Sequence, residues 1–166
     1  LEVPTNSYTR DEQGGTIQPP VPESSVATWT HDPADLVPST VVDPFTFLHE
    51  SPDERVVEGR ADVLTFTGRP LSDAIELAGP VRAELWVGSS GPSMDVHVKL
   101  VDVDPQERAL MLVRGQRKVA TPGAEPVAVT VEMAHLGYRL EPGHRLRLQV
   151  ASSDFPLYVP HPGTDA

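Results

Sequence analysis

The amino-acid sequence predicts an all-β domain, an antiparallel β-sandwich, and three observations carry that prediction. Short segments alternate apolar and polar residues with the two-residue period of a strand that buries one face. Turn signals of glycine, proline, serine and acidic residues separate these segments at close intervals. The chain also holds 18 prolines in 166 residues, about twice the ordinary share, which leaves little room for long helices.

The elements follow in order. Residues 1–60 are rich in proline, serine and acid, with short apolar pieces at 26–29 and 45–48. They read as a loop-rich segment that wraps over a scaffold and is ordered by docking on it. Residues 61–160 read as the main strands. The first covers 62–67; the second covers 74–78 and is cut off by a turn at Gly79 and Pro80. Residues 81–87 put Val81, Ala83, Leu85 and Val87 on one face, and 95–103 oppose Val96, Val98 and Leu100 to Asp95, His97 and Lys99. Residues 109–114 are apolar on both faces, as a central strand would be. Val127, Val129, Val131 and Met133 share a face, and a short helical or turn-like piece is expected over 134–140. The last strand follows the turn at Glu141, Pro142 and Gly143. Leu146, Leu148 and Val150 alternate there with Arg145, Arg147 and Gln149, which reads as a half-buried strand. It leaves through Ser152, Ser153, Asp154, Phe155 and Pro156. About seven or eight strands without an internal repeat fit one sandwich domain over residues 1–166.

Composition narrows the function. Acidic residues outnumber basic ones by 24 to 13, for a net charge of −11. Nucleic-acid and anionic-membrane partners both need a basic face, so neither is expected. No cysteine is present, which excludes disulfides and thiolate chemistry. No run approaches a membrane span and no secretory signal pattern opens the chain, so cytoplasmic and secreted locations both stay open.

Catalytic motifs are not found. The nearest approach to a G-x-S-x-G nucleophile elbow is Gly88-Ser89-Ser90-Gly91, whose spacing is wrong and which reads as a hairpin turn. His31, His49, His97, His135, His144 and His161 are scattered, without metalloprotease spacing. Asp102 with Asp104, and Asp95 with His97, are the best metal candidates. Calcium needs six or more oxygens, and no loop supplies them, so no metal or other cofactor is expected. Asp32 and Asp35 beside Pro33 are expected to make turn bonds. By alternation Trp86 points away from Val81, Ala83, Leu85 and Val87, onto an outer face. There it is an interdomain contact, a ligand platform for a sugar, or a partly covered side chain.

Four blocks resemble a known family. They are WTHDPADLVPS (29–39, with Leu36 where the family has proline), VEGRADVLTFTGRPL (57–71), the stretch 77–100 with Asp102-Val103, and GHRLRLQVASSDFPLY (143–158). In order and together they resemble the C-terminal non-catalytic domain of serine hydrolases of the Xaa-Pro dipeptidyl-peptidase and cocaine-esterase type. α-Amino-acid ester hydrolases and glutaryl-type acylases belong to the same group. The resemblance implies a jelly roll of the galactose-binding-like type, packed beside an α/β-hydrolase domain that supplies the Ser-His-Asp triad. It implies a parent enzyme that hydrolyses an ester, an amide or the bond after a penultimate proline. No residue here matches the triad, so no catalytic residue is assigned. The module would brace the catalytic domain and help wall its cleft. Trp86, Asp154, Phe155 and Tyr158 are the candidate interdomain contacts, and Phe155 is equally read as a core plug.

The ending departs from the family: Pro160-His161 stand where it has Arg-Asn, and Gly163 where it has a later Asn. The family also continues into a closing hairpin beyond the position of Ala166. A truncated piece of a larger hydrolase is therefore expected, with an unpaired sandwich edge open to self-association. A carbohydrate-binding module of the same fold is the alternative function.

Overall fold

The structure is a computed structural model and describes residues 9–11, 14–16, 26–41, 43, 45, 51–121 and 125–162. Strands β1 (Thr9–Asp11) and β2 (Gly14–Thr16) pair antiparallel. A single-turn helix α1 (Arg55–Glu58) precedes the main strands: β3 (Leu64–Thr67), β4 (Ile75–Val87), β5 (Ser93–Val103), β6 (Ala109–Ala120), β7 (Val127–Leu140) and β8 (Arg145–Ala151). One antiparallel sheet runs in the order β3-β8-β5-β6, and β4 pairs with β7 in a second. The antiparallel β-sandwich expected from the alternation is the architecture found.

The two sheets meet through apolar faces. Val96 and Val98 of β5, Val150 of β8 and Val119 of β6 pack against Ala83 and Val87 of β4 and Val129 and Val131 of β7. A second cluster joins Leu71, Leu100, Val113, Leu140 and Leu146 toward the other end. Each such side chain contributes about 1.5–3 kcal/mol when fully buried. The sheets converge where β6 runs close to β7. Gly115 lies against the Glu132 backbone there, and the Arg117 guanidinium donates to the Thr130 carbonyl at 2.7 Å. Two strands cannot cover four, and Leu64, Phe66 and Leu148 stay only partly buried.

Four sequence readings are corrected. Residues 75–87 form one strand, not two, passing through Gly79 and Pro80 without a turn. The irregularity is taken up locally. Pro80 pairs with His135 and Arg82 with Glu132, so Val81 alone faces Met133 and Ala134 in a β-bulge. Gly79 has φ +128°, which only glycine adopts easily. Residues 134–140 are strand rather than helix, because 135–140 pair with 75–80. Gly88 to Gly91 is no hairpin: it carries the chain from β4 in one sheet to β5 in the other. Finally, β6 is an edge strand, not a central one. It is apolar on both sides because the segment before α1 covers its start. Glu54 donates its amide to the Ala109 carbonyl at 2.7 Å, and Met111 donates to that of Pro52 at 3.0 Å.

The half-buried reading of β8 also changes. Gln149 is buried, as are Asp95, His97 and Lys99 on the same outer face of the four-stranded sheet. This face has a cover of its own chain, made of residues 37–41, residues 52–57 and the segment that leaves β8.

Candidate functional site

The cover is held by charge. The Lys99 ammonium projects from β5 beneath it, with only 6% of the side chain exposed. It lies 3.0 Å from Glu54 Oε2 and 3.2 Å from Asp154 Oδ1. Arg114 of β6 reaches the other oxygen of Asp154 at 3.8 Å, and Thr40 donates its hydroxyl to Glu54 Oε1 at 2.5 Å. Two cations thus face two carboxylates from four separate parts of the chain. Such a group is tolerated inside a protein only when every charge has its counterpart. A second pair lies nearby: Arg147 of β8 donates to Glu58 of α1 at 2.5 Å and to the Thr67 hydroxyl at 2.7 Å. Below α1, Val57 packs with Val37, Val63 and Ala151.

The exit from β8 is the other half of this arrangement. Ser152 accepts from the Trp29 indole N–H at 2.5 Å, and the Ser153 hydroxyl accepts from the Val37 amide at 2.9 Å. Phe155 then pairs its backbone alongside 37–39: its amide donates to Val37 O at 3.0 Å and its carbonyl accepts from Ser39 N at 2.7 Å. Tyr158 closes the turn through its amide to Asp154 O and sets its ring edge-on to His97, centroids 5.0 Å apart. The blocks 29–39 and 143–158 are therefore partners in space, the first docked on the exit of the second.

Burial pushes the His97 imidazole below its ordinary 6.5, against the opposing pull of Asp154 and Asp95. A base depressed in the folded state stabilises fully above its unfolded pKa and loses that contribution as pH falls below about 6.5. Thermal unfolding should weaken between neutral pH and pH 5, before the carboxylates titrate. His97→Gln should flatten that slope; an unchanged slope would show that His97 is not its source.

The four residues nominated as interdomain contacts do not form one surface. Trp86 lies on the outer face of β4, 77% exposed. Phe155 and Tyr158 belong to the opposite side of the sandwich, over the outer face of β5. Asp154 is 2% exposed and its carboxylate is engaged by Lys99 and Arg114, so it supports the loop from beneath and does not present itself to a partner. Phe155 is 45% exposed and is no core plug. The surface there includes two residues that the sequence reading passed over, Leu157 and Val159, the latter 88% exposed. Their only signal is three apolar residues spaced two apart in a proline-containing loop, too short a run to be read as an element.

The remaining candidates resolve into structural roles. Asp102 accepts from the Tyr138 hydroxyl at 2.9 Å and faces His144 Nδ1 at 2.8 Å between the sheets. Burial and that hydrogen bond push the Tyr138 phenol up to about 12. Asp104 caps its own turn, accepting from the Gln106 and Arg108 amides. Among the described residues no three His, Cys, Asp or Glu side chains converge to hold a metal ion. Asp32 accepts from the Ala34 amide, the turn bond expected of it. An open groove of about 670 Å³ is lined by Trp29, Asp32, Asp35, Arg60 and Asp62 among others. Arg60 donates to Asp62 and Asp35, holding the Asp62 carboxyl below the usual carboxylate range.

Comparison with known proteins decides the family. The model of the X-Pro dipeptidyl-peptidase C-terminal non-catalytic domain matches residues 5–166. The chain belongs to that family. Cocaine esterase of Rhodococcus sp. (strain MB1 Bresler) is 34% identical over 160 residues, covering 87% of this chain and 28% of the esterase. The crystal structure of an α-amino acid ester hydrolase superposes with TM-score 0.78 at 29% identity, over 98% of this chain and 31% of that one. An aminopeptidase from the marine sediment archaeon Thaumarchaeota archaeon shares the fold, with TM-score 0.79 at 24% identity over 98% of this chain and 31% of its own. This chain thus spans under a third of the length of each of these proteins.

Proposed function

We propose that this domain braces an α/β-hydrolase catalytic domain in the polypeptide that carries it and helps wall the cleft of a serine hydrolase acting on an ester or amide. The observation that carries the reading is the exposed ridge of Phe155, Leu157 and Val159. Three apolar side chains stand out of a loop whose backbone is bonded to 37–39 and whose base is pinned by Asp154. A rigid apolar projection on buried supports is the form a docking contact takes. The family supplies its partner, since relatives carry this domain on chains more than three times its length. On the same reading the sandwich is a jelly roll of the galactose-binding-like type, supported by the chain's passage between the sheets from β4 to β5.

Leu157→Asp combined with Val159→Asp tests the proposal. In the polypeptide joining this domain to its catalytic domain, the pair should lower the temperature of thermal inactivation. It should leave the melting temperature of the 166-residue chain within a degree or two, since exposed substitutions cost little. Unaltered inactivation of the joined protein would reject the ridge as the contact. Turnover of p-nitrophenyl esters by the 166-residue chain alone would reject the bracing role outright.

A further inference from the structure

We infer that residues 154–161, in the segment leaving β8, form a proton-operated strap: uptake of a proton by His97 lifts it from the outer face of β5 while both sheets stay folded. The strap is held by polar and edge contacts. Phe155 bonds its backbone to 37–39, Asp154 meets Lys99 and Arg114, and Tyr158 sets its ring against the His97 imidazole, centroids 5.0 Å apart. At its far end the buried His161 places Nε2 3.0 Å from Ser93 Oγ, and its carbonyl stands 3.0 Å from His31 Nε2. None of these ties belongs to the apolar packing between the sheets, so the strap can open without costing that core.

The imidazole under Tyr158 is where a proton changes most. His97 is 5% exposed, and a charged ring in that place loses its water. The charges around it do not make up the loss. Asp154 is already engaged by Lys99 and Arg114. Asp95, two positions along β5 on the same face, is buried, and its Oδ1 accepts no hydrogen bond among the described residues. Both carboxylates favour the charged ring, whereas Lys99 on the same strand and His31 of the first block oppose it. Beyond them Lys99 also holds Glu54 of the cover, and Lys118 of β6, opposite Asp95 in register, is exposed to water. Burial prevails, so the closed strap keeps His97 neutral. Lifting the strap returns the ring to water, where its pKa recovers toward about 6.5. The open form therefore binds the proton better, and acid favours it; above about pH 6.5 the strap stays closed. The ridge of Phe155, Leu157 and Val159 rides on this strap. Where the ridge docks on a catalytic domain, protons would also set how firmly it is presented; that consequence rests on the bracing role, and the strap itself does not.

Hydrogen exchange of single amides in the 166-residue chain tests it, followed by NMR from about pH 7.5 to about pH 5 and corrected for the intrinsic pH dependence of exchange. The Phe155 and Tyr158 amides, bonded to Val37 O and Asp154 O, report the strap. The amides of Val98 and Leu100, in a strand paired on both sides, report the sheets. Strap opening should rise by up to about tenfold per pH unit below about pH 6.5, the slope of one proton, while β5 stays protected. His97→Gln should make opening independent of pH over that range. Asp95→Asn withdraws a charge that favours the protonated ring in the closed form, so its slope should persist to lower pH than in the wild type. Strap opening that does not change with pH in the wild type, the wild-type slope retained in His97→Gln, a slope that levels off sooner in Asp95→Asn, or β5 amides that open in step with the strap would each overturn the inference.

Discussion

Replacing Lys99 with methionine should cost about 3–5 kcal/mol of folding stability, the range found when one member of a buried ion pair is removed. Methionine keeps most of the apolar stem, so the loss isolates the charge. What remains is Glu54, fully buried, and Asp154, 2% exposed, with Arg114 at 3.8 Å as the nearest cation to Asp154. Glu54 keeps the Thr40 hydroxyl alone. Urea unfolding monitored by tryptophan fluorescence measures the effect. Adding Glu54→Gln to Lys99→Met should recover part of it, because the second change removes an orphaned charge. A loss below about 1 kcal/mol, typical of solvated pairs, would mean that water reaches the cluster and that the cover is looser than described.

Gly115→Ala is the second large effect, expected to cost about 2–3 kcal/mol. A Cβ at this position would collide with the Glu132 carbonyl oxygen and stand 3.0 Å from Met133 Cγ. The side chain can move, but the carbonyl belongs to a paired strand next to the β7 bulge and cannot yield cheaply. Gly137 provides the control: nothing lies within 4 Å of its would-be Cβ. Gly137→Ala should therefore leave the chain as stable as before, or slightly more so through its unfolded state. Comparable losses at both sites, in calorimetric scans, would show that the cost is one of strand propensity and not of the close approach of β6 to β7.

Alternation proved a reliable guide to which residues share a face and a poor guide to what covers that face. The inward row of Val81, Ala83, Leu85 and Val87 and the outward Trp86 were readable because a strand's period is fixed by its backbone. Asp95, His97 and Lys99 carry the pattern of a solvated face, yet they are buried. Their cover comes from residues some forty to sixty positions earlier and later, and no local pattern reports it. The same limit made 109–114 look like a central strand. Its second cover is the segment 52–54, not another strand. Gly79-Pro80 and 134–140 were misread for a different reason: local breakers suggested ends, while pairing across the sheet carried both segments through. Asp154 was readable as functional in the family sense, but its role turned inward once Lys99 and Arg114 were seen to face it.

The seam between the two ends of the domain governs when it can form. Trp29 bonds a residue 123 positions later, and Val37 one 116 positions later. Contacts of such separation are slow to close, because the intervening chain must first be ordered. During synthesis, at roughly 5–20 residues per second, the first block waits on the order of ten seconds for its partner to emerge. Until the exit segment arrives, Asp154 and Tyr158 are missing from the cover over Lys99 and His97. The domain should therefore complete its fold late and in one step, with the seam as its last event.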